Sequence, residues 1–131
     1  MPKRAATPRP TDAELEILNV LWQRGASTVR DVHQAIKRTR PAMGYTTVLK
    51  LMQIMAEKKL VRRNESQRAH VYEASLAREQ TQRQLIGHLL ERAFEGSATK
   101  LVMQALSARK ASAEELSIIR EMLDEFERGD K

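Results

Sequence analysis

The stretch that decides the fold is GYTTVLKLMQIMAEKKLVRRNESQRAHVY, residues 44–72. Its first half repeats valine, leucine and methionine at the spacing of one helix face. Thr46, Lys50 and Gln53 fall on the opposite face, so the pattern predicts an amphipathic helix with one buried side. The polar side carries hydroxyl, ammonium and amide groups, which are the groups that read base edges and bind phosphates.

A short basic hairpin is predicted directly after this helix. Segments 60–63 and 70–73 are the length of two short strands, and residues 64–67 form a polar turn between them. Three arginines surround the turn. An isolated hairpin is marginally stable in water, so we expect it to pack against the helices. The sequence therefore predicts a mainly α fold, a winged helix-turn-helix with a two- to three-stranded wing.

The positions of the polar residues predict how this segment would contact DNA. Thr46 and Thr47 lie in the first helical turn, where backbone N–H groups and hydroxyls can meet a phosphate. Lys50 and Gln53 lie further along and are placed to reach base edges in the major groove. Arg68 at the wing tip is placed to enter the adjacent minor groove. The residues predicted to bind DNA are Thr28, Arg40, Tyr45, Thr46, Thr47, Lys50, Gln53, Arg62, Arg63, Arg68 and His70.

The charge is distributed unevenly along the chain. The 23 lysines and arginines exceed the 17 acidic residues and give a formal charge of +6. Residues 1–74 hold 14 basic and 7 acidic residues, a net charge of +7, whereas residues 75–131 hold 9 and 10, a net charge of −1. A cationic excess confined to one half indicates a polyanionic partner for that half. The alternative is that the basic surface only confers solubility.

The N-terminal half contains the signals of two further helices. Residues 1–10 are predicted to form a flexible basic arm. Residues 11–14, Thr-Asp-Ala-Glu, match a capping box that begins a helix, and Gly25 is a natural end for it. Residues 28–31 mark a second helix start. Residues 11–74 are therefore predicted to form the winged-helix domain.

Residues 75–131 are predicted to form a helical dimerisation domain. Apolar stripes at 85–94, 101–106 and 116–126 predict three short amphipathic helices, which have little sequence from which to build a core of their own. We expect them to pair with a second copy of the chain. The alternative is that they pack back on residues 11–74. The residues predicted at the dimer interface are Leu85, Ile86, Leu89, Leu90, Phe94, Leu101, Val102, Leu106, Leu116, Ile119, Met122, Leu123 and Phe126.

The composition argues against several other chemistries. Because the chain has no cysteine, it has no disulfide, no thiolate zinc site and no cysteine nucleophile. His33, His70 and His88 show no metal-ligand spacing, and no phosphate-binding glycine loop or GxSxG motif is present. We therefore expect no metal, no cofactor and no enzymatic activity. Neither a signal peptide nor a membrane span is predicted, so we expect a cytoplasmic protein without membrane insertion.

Several motifs together resemble one known family. They are residues 11–18 with Leu21-Trp22, residues 28–32, residues 45–48 continuing to 59–61, and Arg68 and Tyr72 in the wing. Over about residues 11–128 the chain resembles the penicillinase-repressor family of BlaI, MecI and CopY type. The resemblance implies a homodimeric repressor that binds an inverted repeat, often of a TACA/TGTA kind. It further implies control of antibiotic-resistance or stress genes.

The resemblance also implies a mechanism of release. In several members of the family, a membrane sensor metalloprotease leads to cleavage of an Asn-Phe bond in the dimerisation helices. The matching stretch here is Gly-Ser-Ala-Thr at residues 96–99, where that pair is absent. Cleavage of this chain would therefore use another bond, or the repressor would be released by another mechanism.

Three other functions stay open from the sequence. A winged helix can serve as a protein-interaction adaptor, although the basic N-terminal half argues against that. A nucleic-acid binder without sequence preference would show the same charge pattern. A hydrolase is the remaining alternative, and it would require a clustered nucleophile and base.

Overall fold

The computed structural model describes residues 9–66 and 68–129, which form six helices and two strands. The predicted mainly α fold class, with a small antiparallel sheet that follows the third helix in the chain, is confirmed. The predicted arm at 1–10 lies outside the described residues as far as residue 8. In chain order the elements are α1 (Asp12–Arg24), α2 (Val29–Ile36), α3 (Tyr45–Glu57), β1 (Val61–Asn64), β2 (Val71–Ala74), α4 (Arg78–Ala93), α5 (Ala98–Ala108) and α6 (Ala113–Glu127).

Local capping interactions begin and end α1. The Glu14 backbone N–H donates to Thr11 Oγ1 at 3.2 Å, and the Thr11 N–H donates to Glu14 Oε1 at 3.0 Å. This reciprocal pair is the capping box predicted from the sequence. Gly25 follows the helix with φ of +89°, a backbone conformation that a residue with a Cβ rarely adopts. Its N–H donates to the Leu21 carbonyl at 2.8 Å and completes the last turn.

A second capping box begins α2. The Asp31 N–H donates to Thr28 Oγ1 at 3.1 Å, and the Thr28 N–H donates to Asp31 Oδ2 at 3.2 Å. The pKa of the Asp31 carboxyl is lowered, first by the hydrogen bond from the Thr28 backbone N–H and then by the interaction with the Thr28 side chain. The helix ends at Ile36, and a turn through Pro41 leads to Gly44, the N-cap of α3.

The wing is an antiparallel pair in which Val61 lies opposite Ala74 and Asn64 opposite Val71. Each strand begins one residue later than predicted, at Val61 and Val71 rather than at 60 and 70. Leu60 belongs instead to the turn that ends α3, since its N–H donates to the Met55 carbonyl at 2.9 Å.

The chain before α2 pairs with β2 through one isolated bridge. Ser27 and Tyr72 form an antiparallel bridge with N–H···O distances of 2.9 and 2.8 Å. This bridge attaches the hairpin to the helices, and it is needed because an isolated two-stranded hairpin is only marginally stable in water.

The core lies between α1, α2, α3 and the base of the wing. Burying each of its aliphatic side chains contributes about 1.5–3 kcal/mol relative to leaving it exposed, so this cluster is the main source of stability for the domain. Its members are Ile17, Leu18, Leu21, Val29, Val32, Ile36, Val48, Met52, Met55, Leu60, Val61 and Tyr72.

The beginning of α4 is attached to α1 through the single tryptophan. Trp22 Nε1 donates to the Leu76 carbonyl at 2.9 Å, and the Arg78 guanidinium lies 5.7 Å from the centre of the indole ring. Thr81 is buried one turn further along. These contacts hold the connection after the wing in place.

The chain divides into two compact units, one through Ile86 and one from Gly87. In the second unit, Ser97 caps α5, and Ser112 and Glu115 form a capping box at the start of α6. None of the described residues of this unit is buried. Across the described residues, no helix is long and apolar enough to cross a membrane.

Candidate nucleic-acid interface

An open groove of about 910 Å³ lies between α2, α3 and the wing. Among the described residues, its lining includes four lysine or arginine side chains and no acidic side chain, beside neutral polar, aromatic and aliphatic ones. The lining residues are Thr28, Val29, Arg30, His33, Gln34, Lys37, Tyr45, Leu49, Gln53, Arg63, Arg68, Ala69, His70 and Tyr72. The structure thus brings six of the residues predicted to bind DNA to one concave surface: Thr28, Tyr45, Gln53, Arg63, Arg68 and His70.

The exposed face of α3 borders this groove. Thr46, Thr47, Lys50 and Gln53 are all exposed, whereas the side chains on the opposite face are buried in the core. The predicted division of α3 into a polar and an apolar side is confirmed. Because α3 has no side-chain cap at Gly44, the N–H groups of its first turn are left for another acceptor.

Sequence reasoning missed the contribution of α2 to the groove. Arg30, His33 and Lys37 all line it. Their spacing of three and four residues places them on one helix face. The His33 ring meets the Tyr45 ring edge to face, with 5.9 Å between the ring centres, and this contact joins α2 to the start of α3. The signal in the sequence was the helical spacing of these basic residues. It was missed because they lie before residues 44–72, the segment with the strongest pattern.

The two arginines of β1, Arg62 and Arg63, differ in their relation to the groove. Arg63 lines the groove, whereas Arg62 does not. Arg62 donates through Nε and Nη2 to Glu73 Oε2, at 3.3 and 2.9 Å. Arg63 forms an ion pair with Glu65. The pKa of Arg63 is raised, first by a hydrogen bond with Tyr72 and then by the negative charge of Glu65. Both guanidiniums are therefore cationic and already partnered in the free chain.

Other cations at this surface have no such partner among the described residues. Arg68 in the wing, Arg30 and Lys37 on α2 and Lys50 on α3 form no ion pair with a described carboxylate. They combine exposure with a positive charge that has no ion-pair partner in the described part of the chain, and this is the electrostatic signature of a phosphate-binding surface.

Thr28 and Arg40, which were also predicted to bind DNA, have structural contacts as well. Thr28 caps α2 through its hydroxyl while it also lines the groove. Arg40 lies outside the groove, with its Nε 2.6 Å from Glu16 Oε1. The charge of Arg40 is thus balanced within the domain.

A buried ion pair fixes the C-terminal end of α3. Lys58 Nζ donates to both carboxylate oxygens of Glu14, at 3.0 and 2.9 Å. The Glu14 side chain is 2% exposed and the Lys58 side chain 30% exposed. Because Glu14 also accepts from the Thr11 N–H, the pair connects the first turn of α1 to the end of the helix that presents the polar face.

The described residues contain no group of three or more histidine, aspartate or glutamate side chains placed to hold a metal ion. His33 and His70 both line the groove, whereas His88 lies on α4.

Three helices followed by an antiparallel hairpin, with the polar face of the third helix exposed, define a winged helix-turn-helix protein. Comparison with known proteins gives the family. Residues 10–125 match the penicillinase repressor family, and the chain belongs to that family. Two relatives are the transcriptional regulator BlaI of Mycobacterium tuberculosis from strains CDC 1551 / Oshkosh and ATCC 25618 / H37Rv. Each is 32% identical over 119 residues, which cover 90% of this chain and 85% of the relative.

One solved structure is also similar to part of this chain. It is the solution structure of the Bacillus licheniformis BlaI monomeric form in complex with the blaP half-operator. The TM-score is 0.49 at 20% sequence identity, over 56% of this chain and 89% of that chain.

Proposed function

We propose that this protein is a transcriptional repressor that binds an inverted repeat in duplex DNA as a homodimer. The observation that carries the proposal is the basic groove between α2, α3 and the wing, with the exposed polar face of α3 beside it. Membership in a family of repressors, and relatives that are transcriptional regulators, support the same function. A cytoplasmic location stays part of this proposal.

The surface contains the two kinds of contact that a specific DNA-binding protein needs. Arg30, Lys37 and Arg68 supply cations for phosphates, which give affinity and register without reading sequence. Lys50 and Gln53 on α3 supply a donor and an amide for base edges in the major groove. In this arrangement α3 is the recognition helix, α2 contacts one strand of the backbone, and the wing contacts the backbone beside it.

The second unit supports the dimer. Among the described residues of α5 and α6 none is buried, although both helices carry apolar stripes. Met103 is 62% exposed and Phe126 is 70% exposed. Large apolar side chains exposed along two helices mark an interaction site, and a second copy of the same helices would cover them in a closed two-fold dimer. A two-fold dimer matches the symmetry of an inverted repeat.

The binding experiment begins with selection of duplexes from a random-sequence library. Fluorescence anisotropy then compares the selected duplex with a scrambled one over a series of salt concentrations. We expect a preference of roughly a thousandfold or more for the selected duplex. Equal and steeply salt-dependent binding to both duplexes would instead identify a basic nucleic-acid binder without sequence preference. A failure to bind either duplex would favour a protein-interaction adaptor.

Single substitutions separate the two kinds of contact. Lys50→Ala should reduce the preference for the selected duplex, because its ammonium is proposed to read a base. Arg68→Ala should weaken binding to all duplexes alike and reduce the salt slope by about one. Arg92→Ala is the matched control, since it removes one exposed cation from outside the winged helix and should change neither quantity. Equal losses on both duplexes for Lys50→Ala would contradict its reading role.

Release of the repressor by a membrane sensor protease is the final part of the proposal. Residues 96–99, which end the connection after α4 and begin α5, stand where the family's cleaved Asn-Phe bond is expected. Because the chain lacks that pair there, we propose cleavage at a different bond or release without cleavage. Mass spectrometry of the protein from cells treated with a β-lactam would separate the two, since cleavage leaves fragments that end at a defined bond.

A further inference from the structure

One apolar side chain interrupts the exposed polar face of α3. Ile54 is 43% exposed, whereas Met52 and Met55 are fully buried on the opposite face. Ile54 follows Lys50 by four residues and Thr47 by seven, so the three side chains form one stripe along the exposed surface of the helix.

Ile54 is unusual within its own unit. Among the described residues of the unit that runs through Ile86, the exposed large apolar side chains are Tyr45, Ile54 and Ile86, and the first two lie on α3. Tyr45 packs against the His33 ring and lines the groove. Ile54 belongs neither to the core cluster nor to the groove lining.

Neither helix stability nor phosphate binding explains an isoleucine at this place. Isoleucine has a lower helix propensity than the lysine, glutamine or alanine that a solvated face favours. It has no donor for a phosphate. A single apolar side chain on a protein surface is common in itself, so the argument depends on the face that Ile54 shares with Lys50.

We propose that Ile54 is a specificity-determining residue that packs against the C5-methyl group of a thymine in the major groove. Thymine is the base that presents an apolar methyl group there, and an aliphatic side chain is the matching contact. The other bases would place a donor or acceptor against Ile54 and lose its hydration without a replacement hydrogen bond. This inference rests on the DNA-binding function proposed above.

The test uses the full-length protein and the duplex that the wild type selects from the random library. Each thymine of one half-site is replaced in turn by deoxyuridine, which removes only the methyl group and keeps the base pairing. Dissociation constants are measured for the wild type, for Ile54→Ala and for Gln53→Ala, a matched variant of the neighbouring residue. Circular dichroism checks that each variant is folded, which we expect because both side chains are exposed.

For the wild type we expect one thymine in the half-site at which uracil weakens binding by about fourfold, the effect of one buried methyl group. Ile54→Ala should bind the thymine and uracil duplexes equally at that position and weaken binding to the thymine duplex. Gln53→Ala should keep the uracil penalty. The proposal is wrong if no thymine shows the penalty in the wild type, or if Ile54→Ala retains it. Either of these results would leave sequence-specific binding intact, whereas a selection that enriches no sequence would overturn the proposed function together with this inference.

Discussion

Substitution of Lys58 tests how α3 is held in place. Lys58→Met keeps the length of the aliphatic chain and removes the ammonium that contacts both oxygens of Glu14. Since Glu14 is 2% exposed, the variant leaves a carboxylate inside the domain without a counter-charge. The reverse variant, Glu14→Gln, leaves the ammonium of a side chain that is 30% exposed and can reach water.

The two variants should therefore differ in stability. Breaking a buried ion pair from one side costs about 3–5 kcal/mol, and the partial exposure of Lys58 places Lys58→Met at the lower end, about 3 kcal/mol. Glu14→Gln should cost about 1 kcal/mol, because a glutamine still accepts the Thr11 N–H of the capping box. The double variant should lose less than Lys58→Met alone, since it contains no buried charge.

Urea unfolding, followed by circular dichroism and the fluorescence of Trp22, gives the free energy of unfolding for each variant. Protomer concentration is held constant, because association changes the apparent stability of a dimer. Arg62→Met is the control, since it breaks the exposed pair with Glu73 and should cost less than about 1 kcal/mol. The reasoning is refuted if Lys58→Met costs no more than Arg62→Met, or if Glu14→Gln is the more damaging of the two.

Three further predictions concern the caps, the wing and the dimer. Thr28→Ala should lower the free energy of unfolding by about 1 kcal/mol at pH 7. The lowered pKa of Asp31 comes first from the Thr28 backbone N–H, which Thr28→Ala keeps, so the pH-dependent part is tested with Asp31→Asn. The contribution of the Asp31 carboxylate is present above the ordinary carboxyl pKa of about 4 and is lost below it, so the stability difference between wild type and Asp31→Asn in urea titrations should shrink in acid. Glu73→Gln should tighten binding to selected and scrambled duplexes alike in anisotropy, by freeing a wing arginine for a phosphate; an unchanged affinity would mean that this arginine does not contact DNA. Phe126→Asp should give monomers in sedimentation velocity, whereas Ser117→Asp on the other side of α6 should leave the dimer; a monomeric wild type would contradict the proposed assembly.

Much of the fold could be predicted because its signals are local. The capping boxes at Thr11, Thr28 and Ser112 each depend on two residues three positions apart, and all three form. The apolar face of α3 follows from the helical repeat alone. The strands were misplaced by one residue because the turn that ends α3 uses the Leu60 N–H and a left-handed Lys59, with φ of +69°. A lysine in the sequence does not by itself predict a left-handed backbone conformation.

The candidate site could be predicted only in part. The exposure of Lys50 and Gln53 follows from the amphipathic pattern of α3. The positive charge of residues 1–74 follows from the numbers of basic and acidic residues in that segment. The role of α2 was missed because Arg30 and Lys37 become neighbours of the wing only when the helices pack. The predicted DNA contacts, the dimer interface, the domain boundaries and the absence of enzymatic activity stay predictions.

The sequence by itself determined the order of the elements, the inner face of each helix and the half of the chain that carries the positive charge. These properties depend on residues within one or two turns of each other. The tertiary structure decided which charged side chains form ion pairs within the domain, as Arg40 does with Glu16 and Lys58 with Glu14. It also decided which cationic side chains stay exposed beside the groove. It also left Ile54 exposed on the polar face of α3. Ion pairing and exposure depend on side chains that are distant in the sequence, and their distances are set only when the helices pack around a common core.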